Sequence, residues 1–579
     1  MKYLNKLSPS IFVVLLFFVA ACAPVPIQPK KTEVPVENNQ SSQDEAADAE
    51  NEVLEVSFKD GEETPSTYFP GDEWQTSTPE EQGIDSALLL QMFQKTQNEN
   101  IEIHSFLLVR NGYLVTEAYL DPYPRDRKHP VYSVTKSVIS MLTGIAMEEG
   151  LINSVGHKVL DFFPDITRDA KGRYLSDLTL EHLLTMSAGY NTRTIPYAEA
   201  LAQKDASFDT VEHILTYNSI LYKPGTTFYY DSGLPHLLSA IIQETTGKTT
   251  QEYAQEKLFD PLGISGITWQ TDPRGIPLGC TGLELSPRDM AKLGYLYLNR
   301  GQWNGEQIVS AEWVEKSTTK HIETKGLMNE AEDDGYGYYW WMDNYGGYSA
   351  HGFGGQYIFV VPNLNLVAVF TGALPDPVFP TPRKLMEEFV LPAVQSNAPL
   401  PPTQATSDLK AYTAQLENPP SQPVTPLPDT AKRISGHPYQ ITESPGSYFQ
   451  ELTLTFTEGQ NLYQLAAIWS DARRDKVLGG LDDRFYVNEA ISDGQVIAAK
   501  GYWQDENTFV ETLKNIEYME TFTQKYIFEG NKLTLDISST AGYSIQMLGE
   551  MIETPETDAA AAGSTRVAEI DGMCKFGKC

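Results

Sequence analysis

Cysteine is nearly absent. The 579 residues hold four, Cys22, Cys280, Cys574 and Cys579, too few to staple a chain of this length, so no disulfide framework supports the fold. The terminal Cys574 and Cys579 either close a small loop or carry no structural role. Positive charge is also short: 43 Lys and Arg stand against 77 Asp and Glu, a net charge of −34. That balance disfavours nucleic acid and unassisted attraction to anionic lipid, and no basic stripe offsets it. The nine histidines form no His-Glu-x-x-His, no Cys-x-x-Cys is present and ligand residues do not cluster, so no metal is expected. No glycine-rich phosphate loop occurs, and no cofactor is expected. Hydrophobic residues, by contrast, make up 41% of the chain, with 8 Trp, 31 Tyr and 24 Phe. These suffice for the packed cores of two or more domains.

The amino terminus reads as an export signal. Lys2 and Lys6 precede an apolar stretch over residues 11–19, too short to span a bilayer but right for a signal-peptide core. Val19-Ala20-Ala21-Cys22 resembles a bacterial lipobox, in which cleavage before the cysteine leaves a thiol that carries lipid. A signal peptide over residues 1–21 and a mature chain beginning at lipidated Cys22 are therefore expected, as a membrane-anchored, extracytoplasmic lipoprotein of the cell envelope. Ordinary cleavage after Ala21 is the alternative. Residues 22–66 are rich in Pro, Gln, Asn, Ser, Glu and Asp, a composition that cannot bury enough apolar surface to order itself. They form a tether with an r.m.s. reach of about 35 Å.

Chemistry is concentrated where Tyr132-Ser133-Val134-Thr135-Lys136 opens an apolar run ending near Ala146. Serine and lysine three apart on a helix share one face, about 5–6 Å apart at Cβ. Serine is a poor nucleophile until a base takes its proton, and a desolvated, neutral lysine can be that base. A serine at a helix start also has unpaired backbone N–H groups near it, the raw material of an oxyanion hole. S-x-x-K alone is weak, since average composition yields it about twice in a chain this long.

Around this helix the pattern alternates between helix and strand. Asp85 caps a helix over residues 86–93. Residues 104–110 and 113–119 form two strands joined at Asn111-Gly112, a strong hairpin signal. Residues 179–189 read as a helix capped by Thr179 and stopped by Gly189. Further helices are expected over 237–246, 251–259 and 287–298, and strands over 336–341, 357–361 and 366–370, with Gly352-Phe353-Gly354-Gly355 as a glycine-rich approach. Recurrent proline between residues 398 and 430 reads as an extended linker. Residues 431–553 alternate in short strands, an all-β domain forming an eight-stranded barrel or a sandwich. Residues 554–579 read as a disordered tail.

The segments YSVTKSVISMLTGIAMEEGLI, LTLEHLLTMSAGY, PGTTFYYDSGLPHLLSAIIQETTGKTTQEYAQEKLFDPLGI and GLELSPRDMAKLGYLYLNRGQWNGEQIVSAEWV occur in that order. Together they resemble the serine beta-lactamase and penicillin-binding superfamily, in its class C-like branch of esterases and 6-aminohexanoate-dimer hydrolases. The resemblance implies an α+β fold, an antiparallel sheet flanked by helices with a helical subdomain, over residues 67–397. It implies Ser133 as acylated nucleophile, Lys136 as base and Tyr230 as the second proton-transfer group. Two departures stand out. Tyr230-Asp231-Ser232 puts Ser232 where penicillin-recognising members carry an amide, and Ala350-His351-Gly352 replaces their Lys-Thr-Gly or His-Thr-Gly. Gly352 then aligns with the motif glycine, and the Phe353 N–H joins the Ser133 N–H as oxyanion donors; His351 either lines the site or is a surface or structural histidine. The all-β domain resembles the lipocalin-like domains attached to some of these hydrolases.

The reading is a membrane-anchored serine hydrolase that cleaves an amide or ester in a small molecule or peptide, with no nucleic-acid partner. A D,D-carboxypeptidase or beta-lactamase, and a non-catalytic ligand-binding lipoprotein, remain as alternatives. Replacing Cys22 by Ser should move the protein from the membrane fraction to the soluble fraction on cell fractionation; unchanged association would place the anchor elsewhere.

Overall fold

The computed structural model describes residues 68–552 apart from 72, 167–173, 191–207, 217–218, 325–332, 376–377, 379, 445–448, 490, 493, 518–519 and 541–543. The expected signal peptide, Cys22, tether, tail, Cys574 and Cys579 lie outside the described residues. Two compact units are present. One contains residues 68–120 and 124–414, the other residues 415–552 together with Asp121–Tyr123.

The first unit is built on a seven-stranded sheet. Its strands are β1 (Ile103–Arg110), β2 (Tyr113–Tyr119), β3 (Asp333–Tyr336), β4 (Trp341–Asp343), β5 (Tyr348–Gly352), β6 (Gln356–Val361) and β7 (Leu366–Gly372). They lie in the order β2-β1-β7-β6-β5-β4-β3, and the pairings are antiparallel. The β1–β2 hairpin turns at Asn111 and Gly112, with φ 52° and 83°, the left-handed pair that such a two-residue turn requires. The expected strand over 336–341 is broken: residues 337–340 lie outside β3 and β4, and Tyr339 has φ 62°, a backbone state no strand can hold.

Helices α1 (Ser86–Asn98), α2 (Val134–Glu148), α3 (Leu180–Leu184), α4 (Gly233–Thr246) and α5 (Pro287–Leu298) belong to this unit. Helix α2 is buried from Val134 to Ala146, and it packs against α4 and β5. Burying each of its large apolar side chains contributes about 1.5–3 kcal/mol. That burial is what holds the serine and lysine in place. Helix α5 lies on β1, β6 and β7, started by a capping box between Ser286 and Asp289 with Pro287 in its first turn, a strong start signal. Helix α3 is shorter than expected. It ends at Leu184, and Met186 at φ 52° turns the chain away before Gly189 is reached.

The segment expected as an extended linker contains α6 (Gln404–Glu417) and a further helix, Asp429–Ile434. The prolines stand outside α6, and within it Gln404-Ala405-Thr406-Ser407-Asp408-Leu409-Lys410-Ala411 has no breaker and several strong helix formers.

The second unit is a closed barrel of nine strands, one more than the eight expected. Its strands are β8 (Pro438–Glu443), β9 (Phe449–Phe456), β10 (Leu462–Trp469), β11 (Arg474–Gly480), β12 (Tyr486–Asn488), β13 (Ile497–Trp503), β14 (Thr508–Asn515), β15 (Glu520–Glu529), β16 (Lys532–Ser539) and β17 (Ser544–Met551). The ring runs β11-β10-β9-β8-β17-β16-β15-β14-β13 and closes by β11 pairing with β13, while β12 adds to β13 outside the ring. Closure removes the edges that a sandwich would expose. An aromatic core that includes Phe456, Tyr463, Phe509 and Tyr526 fills it.

Glu511 on β14 is fully buried in this core. It accepts from the Tyr463 hydroxyl at 2.6 Å and from the Tyr526 hydroxyl at 2.9 Å. Burial pushes its carboxyl up to about 7, against the pull of those two hydroxyls. The folded state therefore holds a proton that the unfolded chain has released above its own carboxylate range. Stability from this group is complete below pH 4.5 and is lost as pH rises through about 7, a span of about 3 kcal/mol. Glu511→Gln, which mimics the protonated form, should melt close to the wild type at pH 5 and gain on it toward pH 8. Parallel melting curves at both pH values would show that no buried proton is held there.

Candidate active site

Ser133 directly precedes α2, with φ −72° and ψ −7°. The residue before it, Tyr132, has φ 47°, uncommon for an aromatic residue and held only where surrounding structure enforces it. The turn at Tyr132 presents Ser133 at the helix start, and the Ser133 N–H has no acceptor among the described residues.

Lys136 is 2% exposed. Its Nζ lies 2.7 Å from Ser133 Oγ and donates to the Cys280 carbonyl at 2.9 Å, so both contacts are made within hydrogen-bonding distance. The same Nζ sits 5.0 Å from the centroid of the Tyr230 ring. Tyr230 arrives on a segment whose neighbours are tied down on both sides. Tyr229 N–H donates to the Met186 carbonyl at 2.8 Å, and the Asp231 carboxylate accepts from Gly233 N–H at 2.8 Å. Ser133, Lys136 and Tyr230 are thus brought together from two helix starts that are about a hundred residues apart in the chain.

The remaining expected residues are placed differently from one another. Ser232 stands at the start of α4, half-buried, and makes no side-chain cap. Gly352, at the end of β5, faces the nucleophile turn so closely that a Cβ would lie 2.3 Å from the Val131 carbonyl oxygen. The Phe353 ring meets the Tyr132 ring edge-on, with centroids 5.9 Å apart. His351 takes the structural one of its two expected places. It is buried, stacked on Trp341 with centroids 5.2 Å apart and planes 9° from parallel. Alternation along β5 puts Ser349 and His351 on the sheet face that Trp341 shares, and the Trp341 ring meets both His351 and Tyr230.

Three contributors went unread in the sequence. Trp341 stacks on Tyr230, with centroids 5.9 Å apart. The Cys280 carbonyl is a backbone group with no residue-type signal. The left-handed turn at Tyr132 has none either, because tyrosine does not favour that conformation.

A serine hydroxyl coupled to a buried lysine amine beside a tyrosine, on an antiparallel sheet flanked by helices, defines a serine-hydrolase type of site. The chain belongs to the beta-lactamase family, whose model matches residues 93–387. Among known proteins it is similar to the 6-aminohexanoate-dimer hydrolase of Paenarthrobacter ureafaciens, 26% identical over 294 residues, covering 47% of this chain and 73% of the relative. It is also similar to the lovastatin esterase of Penicillium rubens, 27% identical over 186 residues, 29% of this chain and 46% of that one. Among solved structures, a putative beta-lactamase from Bacteroides dorei aligns at 17% identity with a TM-score of 0.45, over 53% of this chain and 99% of that one.

Gly352→Ala should be destabilising and inactivating together. The added methyl would meet Val131 O and Gln356 Cβ, at 2.3 and 2.9 Å, and overpacking of this kind typically costs about 1–3 kcal/mol. A lowered melting temperature with slowed fluorophosphonate labelling is expected; an unchanged melt with unchanged labelling would refute the close approach.

Proposed function

We propose that this protein is an extracytoplasmic, membrane-anchored serine hydrolase that cleaves an amide or ester bond through an acyl-enzyme on Ser133. The 2.7 Å contact between Lys136 Nζ and Ser133 Oγ carries the proposal. The hydrogen bond from the same Nζ to the Cys280 carbonyl fixes the amine beside the serine hydroxyl. Lys136 takes the Ser133 proton as Oγ attacks the acyl carbon. The oxyanion forms toward the Ser133 and Phe353 N–H groups. When the tetrahedral intermediate collapses, the Lys136 and Tyr230 pair returns the proton to the departing nitrogen or oxygen. Water then enters, gives a proton to the same pair and releases the acid.

The bond class is supported by the names of the relatives, one hydrolysing an amide dimer and the other an ester. The partners are a small-molecule or peptide substrate and, through lipidated Cys22, a membrane. Among the described residues no helix is long and apolar enough to cross one.

Intact mass after exposure to a fluorophosphonate should show one adduct, absent in Ser133→Ala; exposure to penicillin should show none. Lys136→Ala should slow acylation about 10²–10⁴-fold, the usual worth of a general base, with the melting temperature largely kept. A penicillin adduct would favour the D,D-peptidase or beta-lactamase reading. Full labelling and turnover in Ser133→Ala would remove the nucleophile assignment.

A further inference from the structure

The Tyr230 ring has to be oriented by packing, because its hydroxyl has no hydrogen-bond partner among the described residues. Apart from Lys136, its ring contact is Trp341, with planes 25° from parallel. Trp341 is 5% exposed and is itself held from several directions. Phe228, two residues before Tyr230, meets it edge-on at 6.0 Å, and Tyr336 does so at 4.7 Å. The remaining flat contact is His351.

His351 is in turn fixed by polar groups at its Nε2. Its Nε2 lies 2.8 Å from Ser349 Oγ and 3.3 Å from an Arg383 guanidinium nitrogen. Ser349 and Arg383 both donate to Asp343 Oδ1 at 3.0 Å, and all four residues are buried. The groups facing the imidazole among the described residues include Ser349 on its own strand, Trp341 from β4, Tyr357 and Phe359 from β6, and Arg383 from the helix Thr381–Leu385. Asp343 carries the arginine. Burial and the Arg383 charge hold the imidazole well below its usual protonation range, so it is a neutral, flat spacer.

We infer that Trp341 is a positioning residue for Tyr230, and that His351 is its rigid backing, so that the stack from His351 through Trp341 aims the Tyr230 hydroxyl at the leaving group. The inference rests on the serine-hydrolase reading above. A misdirected Tyr230 would then impair protonation of the leaving group while leaving the attack by Ser133 on a good leaving group largely intact.

Leaving-group dependence tests this. Ethyl butanoate needs a proton on its departing alkoxide, and p-nitrophenyl butanoate does not. Trp341→Leu should lower kcat/KM at least tenfold for the ethyl ester and less than threefold for the p-nitrophenyl ester. Trp341→Phe, which keeps a flat ring, should recover most of the loss. His351→Gln, which keeps an acceptor for Arg383 and removes the ring, should show the same selectivity more weakly. Tyr230→Phe is the reference for the selective pattern. Equal losses on both esters in Trp341→Leu and His351→Gln, or a selective loss in Tyr230→Phe alone, would overturn the inference. Failure of the wild type to take up a fluorophosphonate would instead overturn the hydrolase reading.

Discussion

Lys136 Nζ has been taken out of water, 2.7 Å from Ser133 Oγ and 2.9 Å from the Cys280 carbonyl. A buried amine with an unmet hydrogen-bonding group would be costly, so the surroundings must supply partners at defined positions. Much of the first unit does this. Helix α2 is buried around the lysine and packs on α4, and the loop bearing Tyr339 is tied to α2 by the Ser137 hydroxyl at 2.7 Å. The segment carrying Cys280 brings in a backbone oxygen from 144 residues away.

The same demand explains the unusual backbone near the site. Tyr132, Met186 and Tyr339 all have positive φ without being glycine, and each such residue stores strain that surrounding packing must offset. Tyr132 turns the chain into α2, the Met186 carbonyl receives the Tyr229 N–H, and the Tyr339 carbonyl receives the Ser137 hydroxyl. All three lie within the nucleophile turn or on segments bonded directly to its neighbours. Strain placed there keeps the hydroxyl, amine and phenol ring in one arrangement instead of several.

The aromatic side of the site follows a different logic. Tyr230, Trp341 and His351 form a stack in which each ring is placed by the next, and it ends in a buried polar group of Ser349, Arg383 and Asp343. An imidazole held neutral can be packed like an aromatic ring while its Nε2 still meets a polar neighbour.

Ser133, Lys136 and Tyr230 were legible in the chain because their chemistry is local: a nucleophile and base three apart on one apolar helix, and a tyrosine in a long ordered match. The hairpin at Asn111-Gly112, helix Pro287–Leu298 and the alternating strands of the barrel were legible for the same reason, since turn chemistry, capping and periodicity act over a few residues. The early end of α3, the closure of β11 on β13 and the break between β3 and β4 were not. Each depends on a partner distant in sequence or on a backbone state that residue type does not announce. The burial of His351 belongs with them: sequence places it beside the motif glycine, but Trp341 on one side and Ser349 and Arg383 at its Nε2 cover it. Local covalent pattern determined which groups could react, and long-range packing decided which way they face.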